Sequence, residues 1–289
     1  MTRVELPRFQ GGQNGLTPQM RTAWNKHGVL ILDGFVPSQQ CVQLQKRAME
    51  IVDGLAEPQS TPIFETQRQS HAADPTFMAS ADRVECFYEE EATCPTGGLT
   101  RPKRESVNKI GHALHDLDPV FDSFSRHDRV RTLVQGLGIT QPRLVQSMVI
   151  FKPPQIGGEV TCHQDASFLR TRPCTVIGLW FALQPAHIDN GCLWVLPTMH
   201  TMPPRAWFGR KGHALEMVVV DPTPWPLHQA VPVEAEVGTL VVLHGQLPHF
   251  SHPNRSQRSR HAYALHIVDG NAEWLDDNWL QPTRSLRGF

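Results

Sequence analysis

The 289 residues contain no apolar run approaching transmembrane length, no Cys-x-x-Cys pair, no internal repeat and no low-complexity tract. The first absence argues against a membrane span. Six cysteines, at positions 41, 86, 94, 162, 174 and 192, are scattered singly. In a chain this long they read as reduced thiols rather than as a disulfide framework or a zinc site. Charge excess is missing too. Lys and Arg number 27 against 28 Asp and Glu, a net charge of −1, which offers no electrostatic footing for nucleic acid. The one basic cluster, Arg101-Pro102-Lys103-Arg104, runs into Glu105 and reads as a solvated loop. Met1 to Gln10 has no signal-peptide core, and Arg287-Gly288-Phe289 is not a peroxisomal tripeptide. A cytoplasmic protein is therefore expected.

What is present is a 40% hydrophobic content, enough for one large β-rich core or two small ones. Thr17-Pro18 reads as an N-cap followed by proline in the first turn, with the helix ending near His27-Gly28. Val29 to Leu32 then reads as a buried strand. Val36-Pro37-Ser38 opens a second helix that runs to about Asp53-Gly54, with Val42, Leu44, Met49, Ile51 and Val52 as its apolar positions. Glu57 to Arg104 is polar and turn-rich, too long for a structureless connector, and predicts hairpins and flaps. Arg83 to Tyr88 is its locally apolar part, and Glu89-Glu90-Glu91 predicts a surface acidic face. Asn108 to Gly138 carries helical periodicity, which puts Lys109, His112 and His115 on a helix.

From Leu144 onward strand signals dominate: 144–151, 160–165, 175–183, 192–196, 217–220, 239–243 and 260–268. Many strands with Gly and Pro punctuation suggest a jelly roll or cupin-like barrel with flanking helices, mainly β with an α+β character. The proline-rich insert 201–232, which carries Trp207, Phe208 and Trp225, is either a loop over the barrel mouth that selects substrate or a packed surface loop.

The chemistry gathers at Gly157 to Asp165. On an extended segment, residues two apart share a face, so His163 and Asp165 would project together. With a second imidazole they would form the two-histidine, one-carboxylate face that holds non-haem Fe(II). The pair alone is weak, because 15 histidines make such spacings common and His187-Ile188-Asp189 repeats it. That copy runs into Asn190-Gly191, a turn dipeptide that Asp189 is expected to cap. His249 and His244 both compete for the third ligand. Only His249 has Arg260 eleven residues beyond it, a guanidinium able to reach the same cavity from the next strand. His112 and His115 read as makers of core or surface hydrogen bonds.

With His163, Asp165, His249, Ser251, Asn254, Ser256 and Arg260 in this spacing, the chain resembles the phytanoyl-CoA dioxygenase family of Fe(II)/2-oxoglutarate oxygenases, in particular the domain-containing subgroup. Asn108 to His115, Val145 to Met148, Gly157 to Phe168, Asn190 to Trp194 and Asn278 to Pro282 carry the same resemblance over nearly the whole chain. It implies one domain over 1–289, with helical and flap elements in 1–143 and a double-stranded β-helix in 144–289. It also implies Fe(II) on His163, Asp165 and His249, with 2-oxoglutarate and dioxygen as co-substrates and ascorbate as a support. Arg260 and Ser251 would take the distal carboxylate. Lys109 would be a second cation, against its alternative as a solvated helix residue, and Met148 and Trp180 would be walls, against plain core packing. With the Asp165 carboxylate in place of a small residue, hydroxylation of a small or lipid-like molecule is favoured over halogenation. A non-catalytic barrel that binds metal and 2-oxoglutarate stays open, as does a cupin of another class. Oligomeric state and prime substrate are not encoded in any motif. One departure is Pro197-Thr198-Met199-His200, where relatives carry Pro-Gly-Ser-His. Without the glycine's easy access to positive φ, that turn is expected to change.

Overall fold

The computed structural model describes residues 4–12, 15–55, 75–94, 98–212 and 214–289. Its strands, in chain order, are β1 (Arg8–Gln10), β2 (Val29–Asp33), β3 (Val84–Tyr88), β4 (Val107–His112), β5 (Pro142–Ile150), β6 (Val160–His163), β7 (Thr171–Arg172) and β8 (Ile177–Ala182). They continue as β9 (Leu193–Val195), β10 (Ala206–Lys211), β11 (Ala214–Val219), β12 (Val231–Val233), β13 (Leu240–His244), β14 (His249–Ser251), β15 (Ala262–Asp269) and β16 (Glu273–Trp274). The helices are α1 (Pro18–His27), α2 (Ser38–Gly54), α3 (Pro75–Ala79), α4 (Lys103–Ser106), α5 (Leu114–Leu117), α6 (Pro119–Ser125) and α7 (Asp128–Gly136). An eight-stranded sheet, ordered β1-β2-β13-β8-β15-β5-β4-β3, lies against a four-stranded sheet ordered β12-β9-β14-β6. This is the jelly roll anticipated from the strand pattern.

The large sheet is covered on both faces, which is why its strands read as continuous apolar runs. Period-two alternation divides each strand between two cores. In β13, Leu240 and Val242 join one cluster while Val241 and Leu243 join the other. In β8 the split is Ile177, Leu179 and Phe181 against Trp180 and Ala182. The first cluster takes in α1 and α2 through Met20, Trp24, Leu44 and Val52, and α6 and α7 through Phe121, Phe124, Leu133 and Val134. The second is closed by Leu193, Val195, Val231 and Val233 of the small sheet.

The two opening helices follow the sequence reading closely. Thr17 accepts from the Met20 N–H at 3.2 Å, and Gly28 ends α1 at φ 71°. In α2 the buried stripe is Cys41, Leu44, Ala48 and Val52, whereas Val42 is 61% exposed. Helical periodicity over 108–138 misled for its first five residues. Asn108 to His112 is strand, and Lys109 is buried rather than solvated. Every residue of β4 is buried, so it shows no two-fold alternation to betray a strand. Glu89 is also buried, and its carboxylate accepts the Gly158 N–H at 3.0 Å, leaving only Glu90 and Glu91 of the expected acidic face exposed. The Arg101–Arg104 cluster leads into helix α4 rather than remaining a loop. Residues 57–74 and 95–97 of the stretch expected to form hairpins and flaps lie outside the described residues.

The turn that lacks a glycine still takes a positive φ. Thr198 sits at φ 72° and ψ −16°, where its N–H donates to the His27 carbonyl at 3.3 Å at the end of α1. The cost is carried as left-handed strain on a β-branched residue. Because Thr198 is exposed, its side chain packs against little. Thr198→Gly should raise the unfolding free energy by roughly 1 kcal/mol, the lower end of the left-handed penalty. Denaturant melts would show it; an unchanged or lower midpoint would mean that the turn is not strained.

Candidate metal centre and cavity

Register in the small sheet assembles the site. His249 of β14 lies directly opposite His163 of β6, and their ring centroids are 4.3 Å apart. The strand ends at His163, and extended backbone at Gln164 (φ −118°, ψ 132°) returns Asp165 to the same side as it opens a 3₁₀ turn. The Asp165 Oδ1 lies 3.7 Å from the His163 Nε2 and 3.6 Å from the His249 Nε2. Among the described residues these three form the group able to hold a metal ion, with one ligand atom from each lying within 4.8 Å of the others.

Both imidazoles have their tautomer fixed by backbone. The His163 Nδ1–H donates to the Thr161 carbonyl at 2.8 Å, and the His249 Nδ1–H donates to the Leu247 carbonyl at 3.0 Å. Each ring's Nε2 is thereby left as a lone pair facing the other, the arrangement that metal-binding histidines use. Burial, and to a lesser degree His249, push His163 down to about 4, so it is neutral as a ligand must be. Burial would raise the Asp165 carboxyl, but the surrounding imidazoles of His266, His249 and His163 outweigh it and hold the group ionised. Its Oδ2 faces the His266 Nε2 at 3.4 Å, leaving Oδ1 toward the His163 and His249 Nε2 atoms. An anionic oxygen set against two nitrogen lone pairs is repulsive until a cation stands between them. The donor set thus fits a divalent metal.

These side chains open into a cavity of about 580 Å³. Lys109, Met148, Trp180, Ser251 and Arg260, picked out from the sequence, all line it. Arg260 is 1% exposed; its Nε–H donates to the Gly191 carbonyl at 3.0 Å, its Cζ stands 5.4 Å over the Trp180 ring, and Nη1 has no partner. Lys109 lies over the Phe87 and Phe77 rings at 5.3 and 5.8 Å, and burial alone brings its ammonium down to about 7. The insert 201–232 contributes the β10–β11 hairpin and the segment 221–225 to the cavity wall. Arg205, at its base, stacks 3.9 Å over the Trp225 ring and pairs with Asp221 at 3.2 Å. Gln164, between the two ligands, ties this wall to the metal strand by accepting the Arg205 N–H at 3.0 Å and donating to the Gln246 carbonyl at 2.7 Å.

The decoys separate cleanly. His244 packs between Trp24 and His200, with ring centroids at 5.7 and 5.2 Å, and takes no part in the cavity wall. Asp189 does not cap its turn. The Asn190 side chain does, accepting the His187 N–H at 2.7 Å, while Asp189 pairs with Arg258 at 3.1 Å on the surface. Two residues that the sequence reading passed over also bear on the site. His266 places Nε2 3.4 Å from the Asp165 Oδ2, and Gly178 makes room for that oxygen, since a Cβ there would lie 2.6 Å from it. His266 alternates with Ala264 and Ala262 along β15, a period that could have flagged it as inward-facing.

Comparison with known proteins agrees with this geometry. Residues 24–262 match the family model described as phytanoyl-CoA dioxygenase (PhyH). The chain is 38% identical over 272 residues to a phytanoyl-CoA dioxygenase of Arabidopsis thaliana, covering 94% of this chain and 95% of that one. It is 39% identical over 282 residues to phytanoyl-CoA dioxygenase domain-containing protein 1 of Mus musculus, covering 94% and 97%. Among solved structures, EctD from S. alaskensis with 2-oxoglutarate and 5-hydroxyectoine superposes with a TM-score of 0.65 at 15% identity, over 99% of this chain and 90% of that one. The epimerase SnoN from nogalamycin biosynthesis, in complex with Fe3+, alpha ketoglutarate and nogalamycin RO, gives 0.62 at 14%, over 94% of each. At such identities the structural likeness speaks for the fold.

The ligand assignment predicts how Mn(II) stabilises the protein. A metal at a hundred times its dissociation constant should raise stability by about 2.7 kcal/mol. His163→Ala and His249→Ala should lose that rise in thermal melts, whereas His244→Ala and Asp189→Ala should keep it. Retention by His249→Ala with loss in His244→Ala would reverse the assignment.

Proposed function

Because this chain belongs to the phytanoyl-CoA dioxygenase family, we propose that it converts 2-oxoglutarate and dioxygen to succinate and carbon dioxide while hydroxylating a small or lipid-like molecule. One oxygen atom would enter succinate and the other a C–H bond of the prime substrate. The observation that carries this reading is one cavity holding both a two-histidine, one-carboxylate face and a buried arginine with an unpartnered Nη1.

Fe(II) held by His163, Asp165 and His249 would supply the redox chemistry that activates dioxygen. The protein's part is binding, orientation and exclusion of water. Arg260 would meet the distal carboxylate of 2-oxoglutarate with its free Nη1, while its Nε bond to Gly191 holds the fork in place. Ser251, 1% exposed on β14 two residues beyond His249, would add a hydroxyl donor. Trp180 and Met148 would form the walls between metal and arginine. Lys109, which lines the same cavity, would attract the carboxylate beside the keto group. A pair of charges in a partly dry cavity is worth more than one at the surface.

Purified protein given Fe(II), ascorbate and 2-oxoglutarate should release succinate slowly even without a prime substrate. Release that persists after iron is chelated, or none at all, would rule the reading out, and the second result would favour a binding module. Arg260→Gln should weaken 2-oxoglutarate binding by roughly 2–5 kcal/mol, the usual cost of removing one partner of a buried charge pair, and leave the Mn(II) shift intact. Unchanged affinity would transfer the distal carboxylate to another cation.

A further inference from the structure

We propose that His112 is the hydrogen-bond acceptor of the prime-substrate pocket, taking the O–H or N–H of a neutral molecule whose apolar body packs among Phe77, Phe208 and Trp279. The word substrate rests on the oxygenase reading above; the pocket's preference for a donor does not.

Hydrogen-bond accounting fixes the ring. The Ser80 Oγ lies 2.5 Å from the Phe77 carbonyl and 2.8 Å from the His112 Nδ1. Ser80 has one proton, and a carbonyl can only accept, so that proton goes to Phe77. Ser80 must then accept from the His112 Nδ1–H. The reverse tautomer would press two oxygen lone pairs together at 2.5 Å. Nε2 is left as an acceptor, and among the described residues it makes no hydrogen bond. The side chain is buried at 1% exposure, yet it belongs to the cavity wall. Burial, helped by Lys109 and His266, keeps the imidazole well below 6.5, so the lone pair is not lost to a proton. An acceptor on a cavity wall gains a hydrogen bond from a ligand that donates to it and none from one that cannot.

The surroundings define the rest of the ligand. His112 meets Phe77 and Trp279 edge-on at 5.5 and 5.3 Å, and Phe77 lies 4.6 Å from Trp279 and 6.2 Å from Phe208. Phe208 leads to Phe168 at 5.8 Å, and Phe168 leads to His163 at 5.8 Å. An aromatic wall therefore runs from His112 to a metal ligand. It favours an apolar body, while the His112 acceptor at its far end sets orientation. A carboxylate at Nε2 would face a lone pair, so a neutral donor is selected.

The test uses indan-2-ol and its methyl ether, which differ in the ability to donate, with binding measured by calorimetry on metal-free protein and on protein loaded with Mn(II) and 2-oxoglutarate. The alcohol should bind about tenfold more tightly than the ether, as one neutral hydrogen bond allows. In His112→Phe the ratio should fall to about one with the Mn(II) melting shift unchanged. Ser80→Ala, which frees the tautomer without entering the cavity, should lower the ratio at least about threefold, and it serves if His112→Phe does not fold. Equal binding of the two compounds by wild type, binding of neither, or a ratio retained in both variants would overturn the proposal. Loss of the Mn(II) and 2-oxoglutarate shift in wild type would instead count against the oxygenase reading, leaving the metal-free ratio to judge His112.

Discussion

Two hydrogen bonds from imidazole to backbone set up everything else in the site. His163 and His249 each donate from Nδ1 to the carbonyl two residues earlier, and each is thereby committed to presenting Nε2. Because β6 and β14 are paired with these residues in register, the two lone pairs face one another across a single strand spacing. Asp165 needs only the next half-turn of chain to join them. The arrangement is local in sequence for one ligand pair and depends on sheet register for the third, so the site forms only when the small sheet does. A one-residue slip of β14 would turn His249 to the opposite face.

The large sheet provides the other requirement, a dry enclosure in which few charges carry large effects. Its strands place bulk on the helix side and leave Gly178, Ala264 and Gln146 on the cavity side. Room for a carboxylate, a metal and ligands comes from those small or slender residues. Arg260 and Lys109 both enter this enclosure, Arg260 over the Trp180 ring and Lys109 over the Phe87 ring. Such cations are poised to receive anionic ligand groups. The hairpin β10–β11 and the Arg205–Trp225 stack complete the wall and are linked through Gln164 to the metal strand itself.

Much of this was legible because local rules sufficed. The Thr17 cap, the Gly28 stop and the alternation of β13 are written in short stretches, and the structure follows them. His163, Asp165, His249 and Arg260 could be preferred to His244 and Asp189 because their spacing matches the family's pattern, and the structure brings all four to one cavity. What stayed hidden depends on tertiary burial. Lys109 and His112 lie on a strand buried throughout, whose polar and apolar residues fall on both faces and so show no two-fold alternation. Glu89 is acidic in sequence but holds a backbone N–H in the interior. Thr198 shows the opposite limit: a residue poorly suited to positive φ adopts it because the adjoining turn is held against α1.

The most direct test of this account is the anomalous-scattering position of Mn(II) in crystals grown with 2-oxoglutarate. The account requires one peak within bonding distance of the His163 Nε2, the His249 Nε2 and an Asp165 carboxylate oxygen, with Nδ1 of both rings still bonded to carbonyls. A peak ligated through Nδ1, or one at His244, His112 or His115 instead, would contradict it.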